Sequence, residues 1–499
     1  MKISKVMLIS PPMTLLNGLF KNCTVPLGIA YLGAVLEGEG YEVKLLDAVV
    51  EDINHEEPVD REHIRYGLSF EEIENRIREF SPDVVGITCL FSLQYRNVLL
   101  LTKLVKGVDK KIITVAGGEH PSALPAACMQ DKNTDFIVIG EGEHSFLHLL
   151  KEMQGGKNFF KIDGLAFRKN GKTVVNPKTK FIENLDALPF PARHLLPMQK
   201  YFSISLPQSL TYQDKRHACL TTSRGCSGKC VFCATTKFWG NRFRSRSPEN
   251  VLQEIQQLVE DYGVKELHFI DDNLTLDKER AMKIFQGMID RKFNLKWCVP
   301  QGLAIWTLDE ELIKKMQESG CYLVDLGVES GNQDVLWKII KKPINLKRVK
   351  GLVKTFKKHG MLVKVCFVIG LPGETKEQIK QTFDFADKLD LDGVSIAIAT
   401  PLPGTELFRI CKEKKLFRRG FDENAIEYYV GNIETDEFKP EELQAMLSHY
   451  MLKYNLGLLL KHPLRFFKRF SKLLVGHPGT LTKYIFFLLK RRSKVIWKK

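Results

Sequence analysis

Nowhere in the 499 residues is there a run of about 20 apolar side chains, so the sequence offers no membrane-spanning helix. The N-terminus, Met1-Lys2-Ile3-Ser4-Lys5, leads straight into a strand-like run, without the apolar core and small-residue cleavage site of a secretory signal. A cytoplasmic address is expected. Low-complexity stretches are missing too, and no repeat is evident beyond an alternation of strands and helices. The eleven cysteines are scattered, and most sit inside apolar runs, as Cys89, Cys298 and Cys366 do. Without a secretion signal they read as small buried hydrophobes rather than a disulfide framework. Acidic residues are absent from 461 to 499, a stretch with twelve Lys or Arg. The whole chain carries 74 − 59 = +15, so twelve of the fifteen excess charges lie there, and the basic balance is attributed to the tail rather than the body.

What is present is the composition of a globular protein, 44% hydrophobic and 27% charged, long enough for roughly three units. Short apolar runs at 6–10, 43–47, 84–88, 112–116 and 136–139 alternate with helical patterns such as 27–39 and 98–108. Strands that are apolar throughout, separated by helices, predict a parallel sheet covered on both faces. The expected α/β fold is thus a five-stranded doubly wound, Rossmann-like domain over 1–155, with ligands at the strand carboxyl ends. Residues 156–210 read as a linker, with a hairpin around Lys169-Asn170-Gly171-Lys172 and then Pro189, Pro191 and Pro197.

From 211 to 430 the alternation restarts, with strand candidates at 218–222, 266–271, 295–300, 322–328, 363–369 and 394–399. Six βα units predict a partial (β/α)6 barrel of the TIM type. Its first helix is signalled by Ser247 as cap, Pro248 at the first helical position and Gly263 past the end. Residues 431–499 form a helical C-terminal region ending in the basic tail.

The run Thr222-Ser223-Arg224-Gly225-Cys226-Ser227-Gly228-Lys229-Cys230-Val231-Phe232-Cys233 follows the first barrel strand, on a loop at the catalytic end. Three thiolates within eight residues, with Gly225 and Gly228 easing the backbone, suit a 4Fe–4S cluster that keeps one iron open. A structural zinc site calls for four ligands, and no fourth Cys or His follows at suitable spacing. Zinc, or a metal-free cysteine-rich loop, is the alternative.

With an aromatic before the last cysteine, this spacing resembles the radical S-adenosylmethionine superfamily. The resemblance implies that Cys226, Cys230 and Cys233 hold the cluster, that S-adenosylmethionine chelates its open iron, and that one electron releases a 5′-deoxyadenosyl radical. It extends to later strand ends: Asp271-Asp272-Asn273, Glu329-Ser330-Gly331, Gly370-Leu371-Pro372-Gly373-Glu374-Thr375 and Thr400-Pro401-Leu402-Pro403-Gly404-Thr405. The S-adenosylmethionine contacts it implies are Phe232, Asp272, Glu329, Ser330, Gly370 and Pro372. A plain capping turn at Asp271-Asp272 or a plain strand-to-helix turn at 370–375 is the bland reading of each motif alone.

Over residues 3–410 the arrangement resembles the subfamily with a cobalamin-binding domain ahead of the barrel. Ser10-Pro11-Pro12 and the turns holding Pro26, Leu27, Gly28, then Gly117, Gly118, Glu119, His120, then Gly140 and Glu141, carry that likeness. The resemblance implies that those three turns bind cobalamin. The plain reading of His120 is a bond to a neighbouring carbonyl. Many such domains place a cobalt-ligating histidine after strand one, whereas the loop 11–26 has none. A His-off cobalamin enzyme, methylating an unactivated carbon, is therefore implied.

Lys461, Arg465, Lys468 and Lys472 share one helical face, with Phe466, Phe467 and Phe470 largely on another. Such a helix fits an anionic membrane surface, with a docked cap as the alternative. No nucleic-acid partner is expected. The implied partners are a small-molecule or lipid substrate and a reduced flavodoxin- or ferredoxin-type electron donor, with peripheral contact at the inner membrane surface. Rival readings are cyclisation, oxidation or carbon–carbon coupling without cobalamin, and a non-enzymatic iron–sulfur or cobalamin sensor.

Overall fold

The computed structural model describes residues 2–461 and 463, apart from 207, 301 and 429. Arg465, Lys468 and Lys472, on which the basic-face expectation rests, lie outside the described residues. No helix among the described residues is long and apolar enough to cross a membrane.

The N-terminal sheet has seven strands: β1 Lys5–Ser10, β2 Glu42–Asp47, β3 Val84–Thr88, β4 Ile113–Gly117, β5 Phe136–Val138, β6 Leu165–Lys169 and β7 Lys172–Asn176. Their order is β7-β6-β5-β4-β3-β1-β2. The first five pair in parallel, and the interior strands β1 and β3 are buried along nearly their whole length. β6 and β7 add an antiparallel edge. The hairpin expected inside a linker thus extends the first sheet, because Ala166 and Phe167 are buried against Ile137 and Phe136. Asn170 and Gly171 both take positive φ, the primed turn that suits a two-residue hairpin. A small three-stranded antiparallel sheet, Met13–Leu16, His63–Tyr66 and Glu56–Pro58, follows β1 and was not signalled by apolar alternation.

The second sheet runs in chain order: β8 His217–Leu220, β9 Glu266–Phe269, β10 Lys296–Val299, β11 Cys321–Glu329, β12 Leu362–Ile369 and β13 Gly393–Ile398. All neighbours are parallel, giving the expected six-stranded partial barrel. The helix Pro248–Tyr262 has the expected ends, with Ser247 accepting from the Asn250 amide and Gly263 in the left-handed region. Outward residues seal against helices: Trp297 stacks on Phe285 and Phe367 meets Phe385. The inward row Gly327, Cys366 and Ser395 shares one register across three strands, and Ser395 and Ala397 are exposed, so the barrel wall stays open inside. The helix Pro440–Lys461 closes the far side, with Tyr450 stacked on Phe383.

Candidate active site

Cys226, Cys230 and Cys233 lie on the loop leaving β8, all half-buried. The loop is held by its neighbours: the Val231 amide donates to the Ile340 carbonyl (3.1 Å) and the Leu407 amide to the Val231 carbonyl (2.8 Å). Gly225 has φ +84°, and a Cβ there would meet the Arg242 carbonyl oxygen at 2.3 Å, so only glycine makes this turn. At Gly228 a Cβ would lie 3.2 Å from Cys226 Sγ and 3.9 Å from Cys230 Sγ. Its absence leaves room between the two sulfurs. The Gly228 amide (3.3 Å) and Asn273 Nδ2 (2.9 Å) both donate to Cys226 Sγ, as suits a sulfur bearing negative charge.

Among the described residues, only Glu266, His268 and Cys298 bring three ligand atoms within 4.8 Å of one another. Zinc with Zn–S bonds of about 2.3 Å would hold its sulfurs roughly 3.8 Å apart. The sulfurs of Cys226, Cys230 and Cys233 do not all fall within 4.8 Å of one another. Burial pushes the Cys230 thiol up to about 12 against the pull of Lys342, and raises Cys233, so iron must displace protons on binding. The Glu266 carboxylate itself is a hydrogen-bonded part of the barrel floor. It accepts from Tyr322 Oη (2.5 Å), His268 Nε2 (2.9 Å) and the amides of Gln213 and Asp214 (2.5 and 2.7 Å).

The later strand ends surround this loop. Asp272 accepts from Thr235 Oγ1 (3.0 Å), two residues past Cys233, while Asp271 is consumed in bracing Thr222 and Ser223. Phe232 is half-buried against the barrel core. Glu329 ends β11 at φ +73°, a conformation costing a non-glycine residue about 1 kcal/mol or more. Its Oε1 accepts from Lys342 Nζ (2.7 Å), which also donates to the Gly327 carbonyl (2.6 Å) and faces the sulfurs of Cys230 and Cys233. Nothing in the sequence singled out Lys342, one lysine in a lysine-rich run. Asn273 was in a quoted motif, but its bond to sulfur needed the fold.

Ser330 is turned into the protein: it is buried, shares a hydrogen bond with Thr382 Oγ1 (3.2 Å) and accepts from the Asn332 amide. That hydroxyl holds a turn. Gly370, at φ +82°, lies where a Cβ would strike Leu443 at 2.5 Å, and Pro372 is half-buried in the same turn. Glu374 braces it by accepting from the amides of Gly370 (2.7 Å) and Leu371 (3.1 Å).

Glu374 is fully buried and burial pushes its carboxyl up to about 7 from 4.5. Between those values the folded form keeps a proton that the unfolded chain has lost. Stability therefore falls as pH rises, by up to about 1.4 kcal/mol per unit. Glu374→Gln is expected to remove this slope, matching the wild type near pH 5 and exceeding it at pH 8 in thermal melts. A variant that melts below the wild type at pH 8 would contradict it.

On the other side, the loops after β3, β4 and β5 converge on the cysteine loop. Leu90, Ser92, Glu119 and His120 face Lys237, Phe238, Pro403 and Tyr428 across a cleft of about 420 Å³. Gly118 must be glycine, since a Cβ would meet the Cys89 carbonyl oxygen at 2.5 Å. Glu119 opens onto the cleft, and its crowded walls, then the Asp272 carboxylate, raise its carboxyl to about 7. Gly140 would press a Cβ against the Phe238 carbonyl at 3.2 Å. At Gly28 a Cβ would meet nothing within 4 Å, and Pro26 and Leu27 open the same helix, Leu27–Gly38. These open strand ends fit a large planar cofactor. His120 Nδ1 bonds Ser92 Oγ (2.9 Å) beneath the Tyr95 ring, and burial lowers its pKa to about 4, so it is neutral near pH 7. The loop after β1 is pinned by Gln94 to the Thr14 backbone (2.7 and 2.8 Å) and by Asn97 to the Pro12 carbonyl (2.7 Å).

Glu141 does something the sequence did not suggest. Its Oε1 accepts from Arg224 (3.0 Å) and Arg244 (2.7 Å), and its Oε2 from the Ile182 amide (2.8 Å). Arg224 also donates to Glu143 (2.6 Å) and lies between the Tyr31 and Trp239 rings, at 5.3 and 4.9 Å. All four charged groups are buried. Although burial alone would raise it, the Arg224 guanidinium holds the Glu143 carboxyl below its usual range. Glu141 is thus the centre of an ion cluster joining the first domain to the residue two before Cys226.

Two family models match: one described as B12 binding domain, over 13–150, and one as Radical SAM superfamily, over 220–386. A cytidylyl-2-hydroxyethylphosphonate methyltransferase of Streptomyces wedmorensis is 39% identical over 449 residues, covering 84% of this chain and 83% of its own. The chain belongs to the cobalamin-binding radical S-adenosylmethionine family. A methyltransferase of Pyrococcus horikoshii is 34% identical over 410 residues, covering 82% of this chain and 83% of its own. The radical S-adenosylmethionine methyltransferase TsrM of Kitasatospora setae, solved with cobalamin and a 4Fe–4S cluster, shares the fold. Its TM-score is 0.67 at 20% identity, over 83% of this chain and 78% of that one. As a family member the chain is a radical S-adenosylmethionine methyltransferase, whose cofactors are a 4Fe–4S cluster, S-adenosylmethionine and cobalamin.

Proposed function

We propose that this methyltransferase adds a methyl group to an unactivated carbon of a small molecule, with no histidine beneath its cobalamin. The observation that carries the reading is the cleft where the strand ends of β3 and β4 face the segment that follows Cys233. When bound, S-adenosylmethionine on the cluster supplies a hydrogen-abstracting radical and cobalamin supplies the methyl group. The chain's own residues hold, orient and screen. Cys226, Cys230 and Cys233 would grip the cluster and leave one coordination position to a small ligand. Asp272, the Glu329–Lys342 pair and the turn at Gly370 and Pro372 would orient that ligand, with Phe232 excluding water. Pro26, Leu27, Gly28, Gly117, Gly118, Glu119 and Gly140 would line the cobalamin side. His120, bonded to Ser92, would act as a neutral neighbour rather than a cobalt ligand, and the histidine-free loop 11–26 supports an open lower face.

Product analysis with an isotopically labelled methyl donor, in extracts with and without the protein, tests this. Label in a new carbon–methyl bond is the expected result. Release of 5′-deoxyadenosine with no labelled carbon product would favour radical chemistry without methylation.

A membrane-surface site for a lipid substrate is supported by the last turns of Pro440–Lys461. Leu452, Leu456 and Leu460 are exposed there at i, i+4 and i+8 (38, 49 and 80%), and lead into the acid-free basic stretch. Removal of 460–499 is expected to abolish co-sedimentation with anionic vesicles. Equal sedimentation of both forms would sink the idea.

A further inference from the structure

Between 335 and 373 the chain carries ten Lys or Arg and no Asp or Glu, a second run of one sign, set inside the catalytic barrel. Six of the ten are paired within the fold: Lys338 with Asp334, Lys341 with Glu406, Lys342 with Glu329, Lys357 with Asp392, Lys358 with Glu310 and Lys364 with Asp325. The rest is different. Lys347, Lys350 and Lys354 are exposed at i, i+3 and i+7 on one face of the helix Leu346–Lys358. None of the three pairs with an acidic group among the described residues. Large clusters of one sign at a surface cost self-repulsion, and an oppositely charged partner offsets that cost.

This face is joined to the cysteine loop through few bonds. The Val231 amide, between Cys230 and Cys233, donates to the Ile340 carbonyl at the end of one π-helical stretch, Val335–Ile340. Trp337 in that stretch is 54% exposed and donates to the Ile344 carbonyl (3.2 Å), and the Leu346 amide donates to Gln333 (3.0 Å). An exposed tryptophan therefore stands between the cluster loop and the lysines. Lys229, on the loop itself, is exposed as well. An aromatic anchor rimmed by charge is the pattern of a protein-binding surface.

We propose that this face docks an acidic one-electron carrier protein, a flavin or iron–sulfur protein with a negative surface. The proposal rests on the radical methyltransferase reading, because reductive cleavage of S-adenosylmethionine consumes one electron that must come from outside. The carrier is oxidised by one electron, the cluster is reduced by one, and no bond between the proteins forms or breaks. A nucleic acid would be expected to need aromatic groups interleaved along a groove, and a bilayer a broad apolar face; this surface has one tryptophan and a lysine stripe.

The test uses the full-length, cluster-loaded protein and its Lys347→Glu/Lys350→Glu/Lys354→Glu variant. Binding to an acidic flavodoxin is measured by calorimetry with the oxidised carrier, and cluster reduction by stopped-flow absorbance with its hydroquinone. The triple variant is expected to bind at least tenfold more weakly and be reduced at least tenfold more slowly at low salt, and Lys350→Glu alone to fall between. Rising salt should slow the wild type and leave the variant nearly unchanged. Dithionite, a small reductant, should reduce both proteins alike. Wild-type rates and affinity in the triple variant would overturn the proposal. So would loss of anionic-vesicle binding with carrier binding intact, which would assign the face to lipid. A wild-type cluster that dithionite cannot reduce would instead sink the functional reading.

Discussion

Alanine at any one of Cys226, Cys230 and Cys233 is expected to abolish the iron–sulfur absorption and all 5′-deoxyadenosine production. With three protein ligands already leaving one iron open, a cubane reduced to two has no compensating donor in reach. Asn273 and the Gly228 amide only donate hydrogen bonds to Cys226 Sγ, and the nearby carboxylates of Asp272 and Glu329 are engaged by Thr235 and Lys342. The apoprotein should still fold, because the triplet sits on a loop whose frame is the Val231–Ile340 and Leu407–Val231 backbone bonds and the Asp271 brace on Thr222. Iron content, the spectrum of anaerobically reconstituted protein and circular dichroism separate these outcomes. A variant that keeps the full cluster spectrum would remove that cysteine from the ligand set.

Arg224→Met is expected to be the most destabilising single change outside the core. It leaves Glu141 and Glu143 buried without their shared cation, and breaking a buried ion pair from one side costs about 3–5 kcal/mol. The loss should show as a lower urea midpoint and as reduced iron retention, because Arg224 precedes Cys226 by two residues. Combining it with Glu143→Gln removes one stranded charge and should recover part of the loss, which a merely steric role for the arginine would not allow. Unfolding within about 1 kcal/mol of the wild type would show the cluster to be energetically idle.

Fold and cluster loop were legible for a shared reason: both are written in local patterns. Buried strands of a covered parallel sheet are mostly apolar, as 84–88 and 363–369 are, and three cysteines within eight residues have few structural uses. The hairpin at 165–176 was also legible, through Asn170-Gly171. Its place in the first sheet was not, because the pairing of β5 with β6 is a choice between edges that the sequence does not rank.

The charged residues were the least legible. Glu141 lies in a glycine-rich turn at a strand end, which suggests a ligand, yet its oxygens are taken by arginines 83 and 103 positions away. Ser330 adjoins the motif's glutamate but points to Thr382, 52 positions on. Attributing the positive charge to the tail hid the acid-free stretch 335–373, since the body as a whole nearly balances.

By itself, the sequence determined the main strands and helices, the parallel pairing of most of them, and which three thiols stand together, because periodicity and close spacing act over a few residues. Only the tertiary structure decided the partner of each charge: which carboxylate faces a cofactor cleft, which is spent on an arginine and which lysines remain unpaired. Those pairings depend on distances between residues dozens of positions apart, and Coulomb energy in a buried setting changes steeply over a few ångströms.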